Sequence, residues 1–208
     1  MAVQPTVLMF DLGGVLVDNA TFDELPKLLP APMAPGALFD RYLASRAVRL
    51  YERGLIEAHV FAQDFVEEWG LSLSPDAFLA QFTSWPRAPY PGAVELLASL
   101  RQHYTVAILS NCNATHWGRF CDLTAQAHHP YSSHLLGMVK PDRETFEAVI
   151  ARLDRPAGEI VFLDDSETNI RCARAAGLNA HHAVGFDAVK RTLGALGIMP
   201  LTSPDAAH

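Results

Sequence analysis

Val7-Leu8-Met9-Phe10-Asp11-Leu12-Gly13-Gly14-Val15-Leu16 is an apolar run that ends in an acid and two glycines. Between Pro5 and the glycine pair, Val7 to Phe10 read as a strand buried on both faces, of the kind that sits centrally in a parallel sheet. Asp11 then emerges at the carboxyl end of the strand, where open α/β sheets keep their ligands. A carboxylate there, followed by glycines that let a ligand approach the backbone, can serve as a nucleophile or a metal ligand. Asp and Gly also make ordinary turns, so the remainder of the chain has to decide between the two.

After Asp18 the strand character stops and a helical pattern holds for about seventy residues. Phe61, Phe65 and Trp69 recur at four-residue spacing and Gly70 stands where a helix would stop. Ser74 and Pro75 suit an N-cap and first helical position ahead of Phe78, Leu79 and Phe82. Leu38, Tyr42 and Leu43 suggest an earlier helix. Aromatics at such spacing ordinarily make core, and some would line a pocket if this unit sits over Asp11.

From Pro89 the alternation of helix and strand resumes. A helix over about 93–102 leads into a buried strand, Tyr104 to Leu109, closed by Ser110-Asn111, where a hydroxyl and an amide can hold an anion. An irregular stretch, 127–136, contains a short strand. Gly137-Met138-Val139-Lys140-Pro141 precedes a helix from Thr145 to Leu153, and Lys140, extended before its proline, can pair with a phosphate and a carboxylate if it points inward. Ile160-Val161-Phe162-Leu163 is a further apolar strand ending in Asp164-Asp165. Adjacent carboxylates repel unless a cation neutralises them, and Mg²⁺ uses one or two carboxylates while binding substrate phosphate. The alternative is that both acids merely start the next helix, Asn169 to Gly177. A last strand, Asn179 to Val184, and a helix around 187–196 complete the pattern. It describes an α/β, Rossmann-like doubly wound parallel sheet with an inserted helical cap. The expected boundaries are a core of 1–18 and 89–200, a cap of 19–88 and a flexible tail of 201–208.

The composition, 50% hydrophobic and 19% charged over 208 residues, is that of a globular protein, without an 18-residue apolar run or a signal segment. The net charge of −7, from 16 basic and 23 acidic residues, includes no basic block and argues against a nucleic-acid surface. Cys112, Cys121 and Cys172 have neither disulfide nor zinc spacing, which fits a reducing cytoplasm. The neighbouring pairs His128-His129 and His181-His182 lack metal spacing. Cys112 reads as a buried inert thiol or one that feels the site, His116 and Trp117 as packing residues or a border of the pocket, and Glu52-Arg53 as a charged pair that is solvated or faces substrate from the cap.

Four segments, Asp11-Leu12-Gly13-Gly14-Val15, Ser110-Asn111, Lys140-Pro141 and Asp164-Asp165, resemble in order and spacing the four motifs of the haloacid dehalogenase superfamily of hydrolases. The likeness covers the whole chain. More narrowly, Glu52-Arg53-Gly54, Leu109-Ser110-Asn111 and Gly137 to Pro141 resemble bacterial sugar-phosphate phosphatases related to alpha-glucose-1-phosphatase. The resemblance implies a Mg²⁺-dependent phosphatase acting on a small phosphorylated metabolite, a sugar phosphate being favoured, through an aspartyl-phosphate. Asp11 would be the nucleophile. Ser110 and the Asn111 amide would hold phosphate oxygens and Lys140 would balance charge. Asp11, the Gly13 backbone carbonyl, Asp165 and Asp164 would hold Mg²⁺. A homodimer is compatible with this reading, which involves neither nucleic acid nor membrane.

One position departs from the pattern. Two residues after the nucleophile most such phosphatases carry a second Asp that protonates the leaving group; here it is Gly13. General acid catalysis is worth roughly 10²–10⁴-fold, so good leaving groups are expected, or a proton from a cap residue or Asp18. The same absence leaves two alternatives: a 2-haloacid dehalogenase-like hydrolase, and a catalytically weak phosphate-binding or regulatory protein.

Overall fold

Val7–Phe10 forms strand β1, whose four residues are all buried. The structure, a computed structural model, describes residues 4–198; the tail expected over 201–208 and the end of the 89–200 segment lie outside them. From β1 the chain passes through β2 (Val17–Asn19), then α1 (Thr21–Leu28), α2 (Pro35–Ala44), α3 (Arg46–Glu52), α4 (Ala58–Trp69) and α5 (Pro75–Phe82), and returns by β3 (Pro86–Pro89). It continues through α6 (Ala93–Leu100), β4 (Thr105–Ser110), α7 (Ala114–Trp117), α8 (Cys121–Thr124), β5 (His129–Ser132), α9 (Ser133–Leu136) and α10 (Arg143–Leu153). Last come β6 (Ile160–Asp164), α11 (Glu167–Ala175), β7 (Asn179–His182) and α12 (Phe186–Ala195).

The main sheet has the order β5-β4-β1-β6-β7 with every neighbour parallel, so β1 occupies the centre as its apolar sequence demands. Alternate residues feed two cores. Leu8, Phe10, Val106, Ile108, Val161 and Leu163 pack against α6 and α12 on one face. Val7, Met9, Ala107, Leu109, Ile160 and Phe162 pack against α10 and α11 on the other. From β1 the chain runs to β4 and β5 on one side and then crosses back to β6 and β7 on the other, and this reversal opens a crevice at the carboxyl ends of β1, β4 and β6.

The helical unit has a core of its own, built on the regularly spaced aromatics of α4 and α5. Phe65 stacks on Phe78 with centroids 4.7 Å apart, and Phe61 lies 4.9 Å from Phe82. Gly70 ends α4 in the left-handed region, and the Ser74 hydroxyl caps α5 by accepting from the Ala77 N–H at 3.2 Å.

The passage between the two units differs from expectation. The expected boundaries at 18/19 and 88/89 fall inside a two-stranded antiparallel ribbon, with Val17 opposite Pro89 and Asn19 opposite Pro86. A three-residue strand carries little periodicity, and prolines argue against strand pairing. Here both prolines sit at the ends of β3, outside the main sheet, where a missing N–H costs nothing. The ribbon binds together the two crossings of the chain and sets where the helices stand above the crevice.

Candidate active site

The crevice gathers all the expected residues. Asp11 comes directly after β1, Ser110 ends β4 with Asn111 next to it, Lys140 precedes α10, and Asp164 ends β6 with Asp165 beyond it. Lys140 is 1% exposed and its Nζ lies 3.1 Å from Asp11 Oδ1 and 2.6 Å from Asp164 Oδ2. Burial alone would lower its pKa, but the charges of Asp11 and Asp164 outweigh it and hold the ammonium above the ordinary lysine range. Asp11 Oδ1 also accepts from the Leu12 N–H at 2.7 Å. Its other oxygen has no hydrogen-bond partner among the described residues.

Asp164 and Asp165, equivalent in sequence, are separated by their surroundings. Asp164, with no exposure, accepts from Lys140, from the Ser166 N–H at 2.8 Å and from Asn169 Nδ2 at 2.9 Å, so both its oxygens are engaged. Its carboxylate braces the site. Asp165 stays half-buried and lines the cleft. Burial, reinforced by Asp11 and Asp164, raises Asp165 to about 7, and burial raises Asp11 to about 6 despite Lys140. One oxygen from each of the three acids falls within 4.8 Å of the others. Three carboxylates this close to one lysine retain excess negative charge, and a hard divalent cation fits them. The Gly13 carbonyl, which accepts no hydrogen bond among the described residues, supplies a further oxygen of the right kind.

Gly14 explains why two glycines come after the acid. Its φ is +69°, and a Cβ there would collide with the Asp165 carboxylate. The backbone must therefore be bare for Asp165 to reach Asp11. His182, at the end of β7, supports the same residue by donating to the Asp165 carbonyl at 2.8 Å.

At the end of β4, the Ser110 hydroxyl faces the cleft, whereas the Asn111 side chain is occupied. Its Oδ1 accepts from the Lys140 N–H and its Nδ2 donates to the Lys140 carbonyl, both at 2.8 Å. Asn111 thereby clamps the lysine loop to β4, and only its backbone amide is left for an anion.

The cleft encloses about 990 Å³, including the part open to solvent, and the helical unit forms its roof. Phe22, Phe39, Tyr42 and Leu43 make an apolar wall, with Phe22 ring centroids 5.4 Å from both Phe39 and Tyr42. Several polar lining groups satisfy one another. Asn113 Nδ2 donates to His116 Nδ1 at 3.2 Å while His116 Nε2 donates to the Phe82 carbonyl at 2.9 Å. Burial lowers His116 to about 4, and the neutral ring ties α7 to α5. Cys112 is buried and its thiol is pushed up by that burial, which makes it inert.

The sequence leaves Glu52 either solvated or facing substrate from the cap, and the structure takes the second: it is half-buried and lines the cleft with Asp11 and Lys140. Its neighbour Arg53 turns the other way and donates to the Gly137 carbonyl at 2.9 Å. The Glu-Arg-Gly spelling could have carried this signal, since Gly54 (φ +68°) brings the backbone against His134 too closely for a side chain. Asp18, the other sequence candidate for a proton donor, instead pairs with Arg87 at 3.0 Å across the ribbon.

The haloacid dehalogenase-like hydrolase family matches the chain over residues 5–177. A sesquiterpene phosphatase of Aspergillus oryzae is 27% identical over 182 residues, covering 84% of this chain and 87% of its own. A D-ribitol-5-phosphate phosphatase of Bacteroides thetaiotaomicron is 23% identical, covering 82% and 87%. Among solved structures, a haloacid dehalogenase family enzyme of Bacteroides thetaiotaomicron, in complex with magnesium and inorganic phosphate, superposes with a TM-score of 0.68 at 25% identity, covering 86% of this chain and 94% of that one.

Proposed function

The chain belongs to the haloacid dehalogenase-like hydrolase family, and from that premise we propose that it is a Mg²⁺-dependent phosphatase of small phosphomonoesters working through an aspartyl-phosphate on Asp11. The observation that carries this reading is the Asp11-Asp164-Asp165 cluster, within 4.8 Å and held by one buried lysine. Such a cluster would repel a halocarboxylate and welcomes a cation with a phosphate. The names of the two relatives and the magnesium-phosphate complex of the structural neighbour support it.

In this mechanism the free oxygen of Asp11 attacks phosphorus, and the bond to the leaving oxygen breaks with its electron pair. The Ser110 hydroxyl and the Asn111 N–H hold phosphoryl oxygens. Lys140 keeps Asp11 ionised and oriented, and Asp164 holds Lys140. Asp11, Asp165 and the Gly13 carbonyl would hold Mg²⁺, with Asp164 behind them; the ion would neutralise charge between carboxylates and phosphate. Water then cleaves the acyl phosphate and restores Asp11. The helical unit is the cap that excludes bulk water and meets the leaving group.

A sugar phosphate is the leaving-group reading favoured by the sequence resemblance, and the ribitol-phosphate relative supports it. The wall of Phe22, Phe39, Tyr42 and Leu43 favours a second reading, an alkyl or aryl phosphate. The test is phosphate release from para-nitrophenyl phosphate, sugar 1- and 6-phosphates and a medium-chain alkyl phosphate. Release must require Mg²⁺ and stop with EDTA. Turnover undiminished by EDTA overturns the metal-dependent reading. Mg²⁺-dependent phosphate binding with no turnover of any ester favours the binding-protein alternative.

Metal binding has its own readout. In the metal-free protein Asp11 and Asp165 have pKa values raised by the fold, so between about 4 and 7 the native state binds more protons and loses stability as pH rises. Mg²⁺ removes that penalty, and protons compete with it. The Mg²⁺-induced rise in melting temperature therefore grows from about pH 5 to about pH 8. Gly14→Ala abolishes the rise by displacing Asp165, and an unchanged rise in that variant would contradict the proposed ligand set.

A further inference from the structure

The carboxylate absent at Gly13 leaves the leaving oxygen without a proton donor on the strand-end loop. The ionisable groups facing the cleft from each side include Asp11, Asp165 and Lys140 below, Cys112 and His116 beside, and Tyr42 and Glu52 in the roof. Below, the first three are committed to the nucleophile and the cation. The Cys112 thiol is pushed up by burial and cannot cycle, and His116 has both ring nitrogens engaged. The Tyr42 phenol is held well above its ordinary range by burial and by Glu52 and Cys112.

Among the described residues lining the cleft, Glu52 alone is both poised and free. Its carboxylate forms no ion pair or hydrogen bond among the described residues. Arg49, one turn earlier in α3, is drawn off to Asp142 at 2.7 Å. The backbone at Glu52 is fixed to α9 and the turn after it: its carbonyl accepts from the Ser133 hydroxyl, and Arg53 anchors to Gly137. Tyr51 is tied to Thr115 on α7. These contacts pin the end of α3, so the carboxylate is delivered to the cleft by an ordered backbone rather than a loose tip. Burial, opposed by Lys140 and Arg49 and reinforced by Asp11, lifts Glu52 to about 7, a value suited to giving and taking a proton at neutral pH.

Resting on the phosphatase reading, we propose that Glu52 is the general acid and base of this site, supplied by the helical roof in place of the acid missing at Gly13. As Asp11 attacks, the P–O bond to the leaving alcohol breaks and its oxygen takes the proton of the Glu52 carboxyl. Glu52, now a carboxylate, then accepts a proton from the water that attacks the aspartyl-phosphate. The P–O bond to Asp11 breaks, inorganic phosphate departs, and Asp11 is a carboxylate again while Glu52 is reprotonated.

The test compares Glu52→Gln, Glu52→Asp and the wild type on an alkyl phosphate and on para-nitrophenyl phosphate, with Mg²⁺ throughout. Glu52→Gln loses about 10²–10⁴-fold in kcat/KM on the alkyl ester. It loses far less on the aryl ester, whose leaving group needs no proton, and a burst of para-nitrophenol appears as the phosphoenzyme accumulates. Glu52→Asp recovers part of the alkyl activity. In the wild type, kcat/KM for the alkyl ester falls as pH rises through about 7, while that for the aryl ester does not. This measurement stands even if a variant misfolds. Equal loss on both esters, or an identical pH profile for both, overturns the role of Glu52 and leaves the phosphatase reading intact. Absence of phosphate release by the wild type overturns both.

Discussion

Asp11→Asn reduces phosphate release by roughly 10⁴-fold or more while the protein stays folded. The amide has nearly the shape of the carboxylate, and its oxygen can still accept from Leu12 and Lys140, the two partners of Oδ1. What it lacks is the nucleophilic charge on the second oxygen. Removing that charge also relieves repulsion with Asp164 and Asp165, so the metal-free variant melts no lower than the wild type. Turnover falling only a few-fold, or a phosphoenzyme still trapped on rapid acid quench, would move the covalent step to another residue and end the aspartyl-phosphate reading.

Lys140→Met has the second-largest effect, and it strikes stability as well as catalysis. Lys140 is 1% exposed between Asp11 and Asp164, and its head lies 5.5 Å from the Phe162 ring. Methionine fills most of the volume but leaves two buried carboxylates uncompensated. Breaking a buried pair by removing one partner costs about 3–5 kcal/mol, which for a chain of this length lowers Tm by roughly 10 °C. Activity is lost as well, since Asp11 is no longer held ionised in place. Adding Asp164→Asn returns part of the stability and none of the activity, because it removes one orphaned charge without restoring the nucleophile's partner. A single variant that melts within about 2 °C of the wild type in metal-free buffer would show that the triad is relaxed by solvent and that the buried-pair argument is wrong.

Several parts of this site are legible in the amino-acid order. Asp11, Ser110 and Asp164-Asp165 announce themselves because each ends a short apolar run, and apolar runs between helices become parallel strands; Lys140, in the turn between α9 and α10, ends no strand and is brought to them only by the fold. Residues that end parallel strands share one edge of the sheet, so the strand pattern already implies their convergence. The α4 and α5 aromatics are equally plain, since four-residue spacing admits one face.

Other parts depend on contacts between distant segments. Nothing in the spelling Asp164-Asp165 says which acid faces inward. The choice is made by Lys140, Asn169 and the Ser166 N–H closing around the first, and by bare Gly14 admitting the second. Asn111 looks like an anion ligand in the sequence, yet its side chain serves the lysine loop 29 residues away. The β2–β3 ribbon is hidden there because its strands are short and proline-bearing.

Thus the order of apolar runs and acids, a one-dimensional property, determined the doubly wound sheet, the family and the cluster at its edge. The burial of Glu52, the division of labour between Asp164 and Asp165, and the mutual saturation of Asn113 and His116 were decided only by tertiary structure. Periodicity reports which face of an element is apolar. The charge state and freedom of a polar group depend on what the rest of the chain brings within a few ångströms of it, and no local pattern encodes that.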